Sequence, residues 1–254
     1  METSEERTIP QLKDFLLTFM PEKCFDQFFL QFNFIHVPCL KIVMSKTMGI
    51  LVLMATIFAP LAQIGKVVWC GRSDGLCLGS VFLELLAISA HGAFCYTQKF
   101  PTEAWGESLF ALIQIAFLTF LIQHYRGKTM KGVYLLALYC AFMYFLVSPL
   151  TPVSVVWKLR EWNVLFVIAG RLIQACSNYR CGHTGQLSAL SILLAFLGSL
   201  GRIFSSLQET GLSLPAQLHA VACCCSGVIL IQVLLNWNKC NIEKVRQVDK
   251  EKAE

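Results

Sequence analysis

The sequence predicts an all-α, multi-pass membrane protein, and three observations support that prediction. Of the 254 residues, 56% are hydrophobic and only 15% are charged, against about 25% charged in an ordinary soluble domain. The shortfall is concentrated in seven charge-poor runs, each close to the roughly 20 residues that cross a hydrocarbon core as a helix. The plan of the first three runs also returns about 110 residues later, which marks an internal duplication. Seven transmembrane helices in a 3+1+3 arrangement follow: two parallel three-helix repeats joined by a linker helix. An odd linker sets both triplets the same way up in the membrane.

In order along the chain, residues 1–45 form an N-terminal segment. Its apolar stretch, with Phe28, Phe29 and Phe32, is interrupted by Asp26, Asn33, His36 and Pro38, and reads as an interfacial helix rather than a span. Residues 46–124 are the first repeat. Lys46 and Lys66 bracket its first span, which contains Pro60 followed by Ala62-Gln63. A loop with Gly71 and Gly75 leads to the second span, about 78–98, which carries Glu84 and His91. The third span runs from about Trp105 to Gln123 and is closed by His124-Tyr125-Arg126-Gly127. Residues 125–160 hold the linker helix, about 132–147, which ends at Ser148-Pro149-Leu150-Thr151-Pro152, and then a loop with Lys158, Arg160 and Glu161. Residues 161–238 are the second repeat, with spans of about 163–179, 186–207 and 214–237. Residues 239–254 are a charged tail.

The duplication is legible in particular residues. With Gly75 set on Gly185, Leu83, Ser89, Phe94 and Gln98 fall on Leu193, Ser199, Phe204 and Gln208. Gln63 matches Gln174 with a one-residue gap in the loop. The twelve cysteines mostly sit inside apolar runs and form no CxxC pair. They read as buried reduced thiols, not as a zinc site or a disulfide framework.

Basic residues orient the chain. On one side lie Lys66, Arg72, Arg126, Lys128, Lys131, Arg180, Lys239, Lys244 and Arg246. The other side has only Lys41, Lys46, Lys99, Lys158 and Arg160. The richer side is expected in the cytosol, with the N-terminus lumenal and the C-terminus cytosolic. The final Lys250-Glu251-Lys252-Ala253-Glu254 fits a K-x-K-x-x pattern that cytosolic coats read as an endoplasmic reticulum retrieval signal.

The candidate site is set by residues that oil tolerates poorly. A charge at mid-bilayer costs roughly 2.5–3.5 kcal/mol on insertion scales, so Glu84, Arg171 and Arg202 must meet a partner or a cavity. One carboxylate cannot neutralise two guanidiniums. The three form a salt-bridged set, or the residual positive charge receives an anion such as a lipid phosphate, which guanidinium binds in bidentate fashion, or Arg171 or Arg202 snorkels to an interface. Gln63, Gln174 and Asn178 lie where the repeats face each other, placed to bond sugar hydroxyls or an adjacent helix. There is no G-x-S-x-G, no H-E-x-x-H, no glycine-rich phosphate loop and no second intramembrane acid. The expectation is therefore no enzyme, no catalytic residues, no cofactor and no metal. The modest net charge of +5 belongs to loops and tail and speaks to topology, not to nucleic acid.

Several longer motifs carry a resemblance. They are His183-Thr184-Gly185-Gln186-Leu187-Ser188-Ala189, Arg202-Ile203-Phe204 with Gln208-Glu209-Thr210-Gly211, His36-Val37-Pro38-Cys39-Leu40-Lys41, Trp105-Gly106-Glu107 and Ser148-Pro149-Leu150-Thr151-Pro152. Over about residues 20 to 238 the chain closely resembles the mannose-P-dolichol utilization defect family of the PQ-loop group, which is related in architecture to SWEET sugar transporters. The resemblance implies an endoplasmic reticulum membrane protein needed for using dolichol-phosphate-mannose and dolichol-phosphate-glucose in N-glycan, O- and C-mannosyl and GPI-anchor synthesis. The implied partners are dolichol-phosphate sugars, membrane lipids and endoplasmic reticulum glycosyltransferases. An alternative from the same architecture is facilitative transport of a small solute such as free sugar. The chain departs from the group's Pro-Gln motif at both places, reading Ala62-Gln63 and Ile173-Gln174. That weakens hinge-driven transport more than lipid handling. A long polyprenyl tail kept in the bilayer leads to the expectation of a site that opens laterally.

Overall fold

A computed structural model describes residues 20–33, 36–102 and 105–236. The charged tail and the retrieval pattern at 250–254 lie outside the described residues. Among the described residues the fold is all helical. A helical turn Glu22–Phe25 continues as a π-turn Asp26–Leu30. The helices are α1 Val37–Cys70, α2 Leu78–Thr97, α3 Gly106–Tyr125, α4 Thr129–Val147, α5 Val153–Glu161, α6 Asn163–Cys181, α7 Ala189–Thr210 and α8 Leu214–Leu235.

Six of these (α1 to α4, α7 and α8) are long and apolar enough to cross a membrane. The seventh expected span is α6, whose length suffices but whose composition is too polar. Arg171, Gln174, Asn178 and Arg180 all fall on it. It is held between α2 and α8, so its polar face turns into protein instead of lipid.

Two boundaries differ from expectation. The first span begins at Val37, not at 46, because Pro38 occupies the first turn of α1. Proline fits there, since the first N–H groups of a helix have no intrahelical acceptor to lose. The 34 residues of α1 make about 51 Å of helix, longer than the roughly 30 Å core, so Lys41 and Lys46 reach its outer end. The segment with Lys158 and Arg160, expected as loop, is the helix α5, which packs on α2. There Val156 is buried and the Trp157 ring meets Phe94 edge-on at 4.8 Å.

The helices close into a ring. α3 sits between α1 and α2, and α8 sits between α6 and α7. The two triplets meet along α1–α7 and α2–α6, and α4 packs outside on α3. Both seams between triplets rely on glycine. A Cβ on Gly198 would lie 2.7 Å from the Ala55 Cβ, and one on Gly201 would lie 2.6 Å from a Val52 methyl. On the other seam, a Cβ on Gly170 would stand 3.1 Å from the Ser80 carbonyl. The two seams between the triplets are therefore closely packed at the levels of these glycines.

One group of cysteines also departs from the expectation of reduced thiols. Cys24 and Cys39 form a disulfide beneath Met20, Phe28 and Val43, while the other described cysteines are free thiols. The bridge ties the N-terminal turn to the start of α1, outside the ring. We expect Cys39→Ser to release one alkylatable thiol at Cys24 without disturbing the bundle. Maleimide labelling in intact membranes with and without reductant measures this. Identical labelling of wild type before and after reduction would rule the bridge out.

Candidate functional site

The two loops at one end of the ring are built as a reciprocal pair. Gln63 on α1 reaches into the second repeat's loop, where its Nε2 donates to the Gln186 carbonyl at 3.0 Å and its Oε1 accepts from the Ser188 N–H at 2.8 Å. Gln174 on α6 does the same to the first repeat's loop. Its Nε2 donates to the Gly75 carbonyl at 2.8 Å and its Oε1 accepts from the Cys77 N–H at 3.0 Å. Both amides are about 95% buried, so each satisfies loop groups that have no water to turn to. Gly75 and Gly185 face each other at φ +80° and +50°. A Cβ on either would fall within 2.4 Å of the opposing carbonyl, on Thr184 or Asp74. Lys66 Nζ adds a bond to the Leu187 carbonyl at 2.7 Å, and Arg126 bonds the Leu76 carbonyl.

This arrangement changes the reading of three predicted site residues. Gln63 and Gln174 do not offer their amides to a ligand. Asn178 lies away from the cavity lining, accepting from Gln174 at 2.8 Å and donating to Gln232 at 3.0 Å. The sequence alone posed a choice between sugar hydroxyls and a neighbouring helix. Asn178 does bond a neighbouring helix, through Gln232 on α8, but the partners of Gln63 and Gln174 are loop backbones of the other repeat, far off in sequence, a pairing that no local spacing signals.

Beyond the loops, the ring encloses a cavity of about 170 Å³. Gln63, Gln174, Leu76 and Leu187 form its loop end, and Ile88 and Arg202 stand toward the other. Its lining obeys the duplication at a constant interval of 111 residues. Gln63 answers Gln174, Leu76 answers Leu187, Ser80 answers Ser191, and Ile115 answers Ser226. The register in the second and seventh helices is therefore one residue from that expected: Ile88, not Ser89, corresponds to Ser199. The facing glycines, Gly75 and Gly185, keep the 110 spacing, so the gap falls between them and the following helices.

The charges break this symmetry. Glu84 corresponds to Ala195, Arg171 to Pro60 and Arg202 to His91. Glu84, Arg171 and Arg202 all line the one cavity, as their shared cost of burial in lipid requires. The three do not form direct salt bridges: among the described residues, no ion pair within 4.0 Å joins Glu84 to either arginine, although both guanidiniums are near enough to attract its carboxylate. Arg171 is anchored through Nη1, which donates to Ser199 Oγ at 3.0 Å and the Ala222 carbonyl at 2.8 Å. Arg202 is held more loosely, by one bond of 3.2 Å from Nη2 to Thr56 Oγ1. Thr56 lies four residues before Pro60, which cannot donate to its carbonyl. Glu84 and Arg202 are exposed, to the cavity. Among the lining residues, two guanidiniums and one carboxylate leave a formal charge of +1, with donors unspent, while Glu107 and Arg160 act on Arg202 from outside the lining. Among the described residues, no three His, Cys, Asp or Glu side chains gather so as to hold a metal ion.

The ring of six long helices, duplicated around a charged cavity with a seventh outside it, defines a multi-pass helical membrane protein with a PQ-loop membrane domain. A model of the PQ loop repeat matches residues 165–213, the stretch that contains Arg171, Gln174, the second loop and Arg202. The chain thus carries a PQ loop repeat there. Its first triplet is the structural counterpart, related through the 111-residue interval. No solved structure matches the chain.

Proposed function

We propose that this protein binds dolichol-phosphate-linked mannose and glucose in the endoplasmic reticulum membrane and makes them available as lumenal sugar donors. They would serve N-glycan precursor, O- and C-mannosyl and GPI-anchor synthesis. The observation that carries this reading is the surplus positive charge among the residues lining a partly open cavity, whose acid makes no direct salt bridge to either arginine. A phosphate oxyanion is the ligand that two guanidiniums receive best. The resemblance of its sequence motifs to the mannose-P-dolichol utilization defect family suggests the lipid and the compartment. The tail would stay in the bilayer while the headgroup occupies the cavity.

Two independent features support a lumenal N-terminus and a cytosolic C-terminus. The basic residues favour the loop end as cytosolic. The Cys24–Cys39 bridge lies at the opposite end, and disulfides persist in oxidising compartments.

A photoactivatable dolichol-phosphate-mannose analogue tests the proposal on the whole protein in membranes. Crosslinks should map to α6 and α7 around Arg171 and Arg202, and unlabelled lipid should compete them away. Crosslinks confined to the outer faces of α4 and α8 would refute it. The second reading, passage of free sugar, is favoured by the duplicated plan alone. It predicts saturable hexose uptake in proteoliposomes.

A further inference from the structure

Glu84 is the costliest unexplained residue in the cavity. It lies in the middle of α2, in an otherwise apolar run, open to the cavity, and no hydrogen bond or ion pair from a described residue holds it. Its counterpart in the other repeat is Ala195, so the fold does not need an acid at that place on the ring. Both arginines belong to the second triplet, on α6 and α7, whereas Glu84 faces them from the first, across the seam of α2 with α6.

We propose that Glu84 determines specificity by accepting hydrogen bonds from hydroxyls of a glycosyl group whose phosphodiester sits on Arg202 and Arg171. The cavity then takes glycosylated polyprenyl phosphate and rejects the bare polyprenyl phosphate. This rests on the lipid-phosphate reading above and adds to it the group that recognises the sugar.

Two arguments from elementary chemistry lead here. The first is charge. Two guanidiniums and one carboxylate sum to +1, which a phosphodiester, carrying one negative charge, neutralises. A phosphate monoester carries about −1.5 to −2 at neutral pH. It would leave excess negative charge beside an acid in a low-dielectric enclosure. The second is donor inventory. An ionised carboxylate has only acceptor sites, and so has an ionised phosphate. A neutral moiety rich in O–H donors, placed between them, satisfies both. Vicinal hydroxyls of a hexose are such donors, and O–H to carboxylate bonds are among the stronger hydrogen bonds. Ser80 and Ser191, which line the cavity from the two repeats, add hydroxyls to its walls.

The experiment is equilibrium binding to the purified full-length protein in nanodiscs, using polyprenyl-phosphate-mannose and polyprenyl phosphate of equal chain length. Wild type should prefer the mannosylated lipid by about tenfold or more. Glu84→Ala should weaken the mannosylated lipid about 10- to 100-fold, the loss expected for hydrogen bonds to a charged group, and should strengthen the bare phosphate. Glu84→Gln keeps the side chain's shape and one acceptor. It should therefore fall between wild type and alanine for the mannosylated lipid, which guards against a folding artefact. Glu84→Ala with an unchanged preference overturns the role of Glu84, and leaves the phosphate reading standing if Arg202→Leu still loses both lipids. Wild type that binds neither lipid overturns the phosphate reading itself. Methyl mannosyl phosphate, which lacks the tail, should compete weakly. Competition equal to that of the lipid would identify a soluble glycosyl phosphodiester as the source of the headgroup.

Discussion

Arg202→Leu should abolish use of dolichol-phosphate-mannose in cells that lack the native protein. Lipid-linked oligosaccharides should stall before the lumenal mannose additions, by about tenfold or more relative to wild type, the scale of a lost charge-assisted pair. Stability gives little reason for the arginine. Its guanidinium makes a single 3.2 Å bond to Thr56 Oγ1, and leucine is both a good helix former and cheap to place in lipid. The variant should therefore accumulate normally, so that a lost signal reports on ligand and not on folding. Arg202→Lys should restore part of the activity, since it returns a charge but not the planar fork that grips two phosphate oxygens. Full mannosylation by Arg202→Leu at normal abundance would refute the role given to this residue.

The second large effect belongs to the loop end and should appear as instability. Gln174→Leu leaves the Gly75 carbonyl and the Cys77 N–H without the partners that now stand at 2.8 and 3.0 Å. Each orphaned buried group costs about 1–3 kcal/mol. Gly185→Ala forces a Cβ to within 2.3 Å of the Asp74 carbonyl, which is backbone and cannot swing away. It also places alanine at φ +50°, a left-handed conformation that costs about 1–2 kcal/mol before the clash is counted. Both variants should lower the midpoint of thermal unfolding in detergent, followed by size-exclusion fluorescence, well beyond Gly182→Ala. Gly182 has a similar φ of +69° but nothing within 4 Å of its Cβ position. Equal midpoints for Gly185→Ala and Gly182→Ala would show that the loops do not bear on one another.

What the sequence disclosed and what it withheld divide along physical lines. Apolar runs and their breakers are local, so the positions of the long helices were legible to within a few residues, save for the start of α1, which lies at Val37 and not at 46. Intramembrane charge is conspicuous for the same reason, and Glu84, Arg171 and Arg202 indeed line one cavity. Whether the three pair with each other depends on how each helix is rotated about its axis, which composition does not report. The roles of Gln63 and Gln174 depend on which loop the closed ring carries beneath each amide, a relation between residues 99 and 123 positions apart. Cys24 and Cys39 look like any of the other ten cysteines in the text of the chain. Only the turn that precedes α1, bending back on its first residues, makes them a pair. α5 was missed because Lys158, Arg160 and Glu161 resemble a loop until Phe94 is seen to offer Trp157 a face to pack on.

The crossed glutamines have a consequence for how such a molecule is assembled. Neither half carries the amide that quiets its own bend; each lends it to the other. A half expressed by itself would leave these peptide groups without their partners until a second half arrived. Two fragments, divided between α5 and α6, should accordingly be degraded singly and rescue one another when made together. The same exchange would have compelled a single-triplet forerunner to live as a pair.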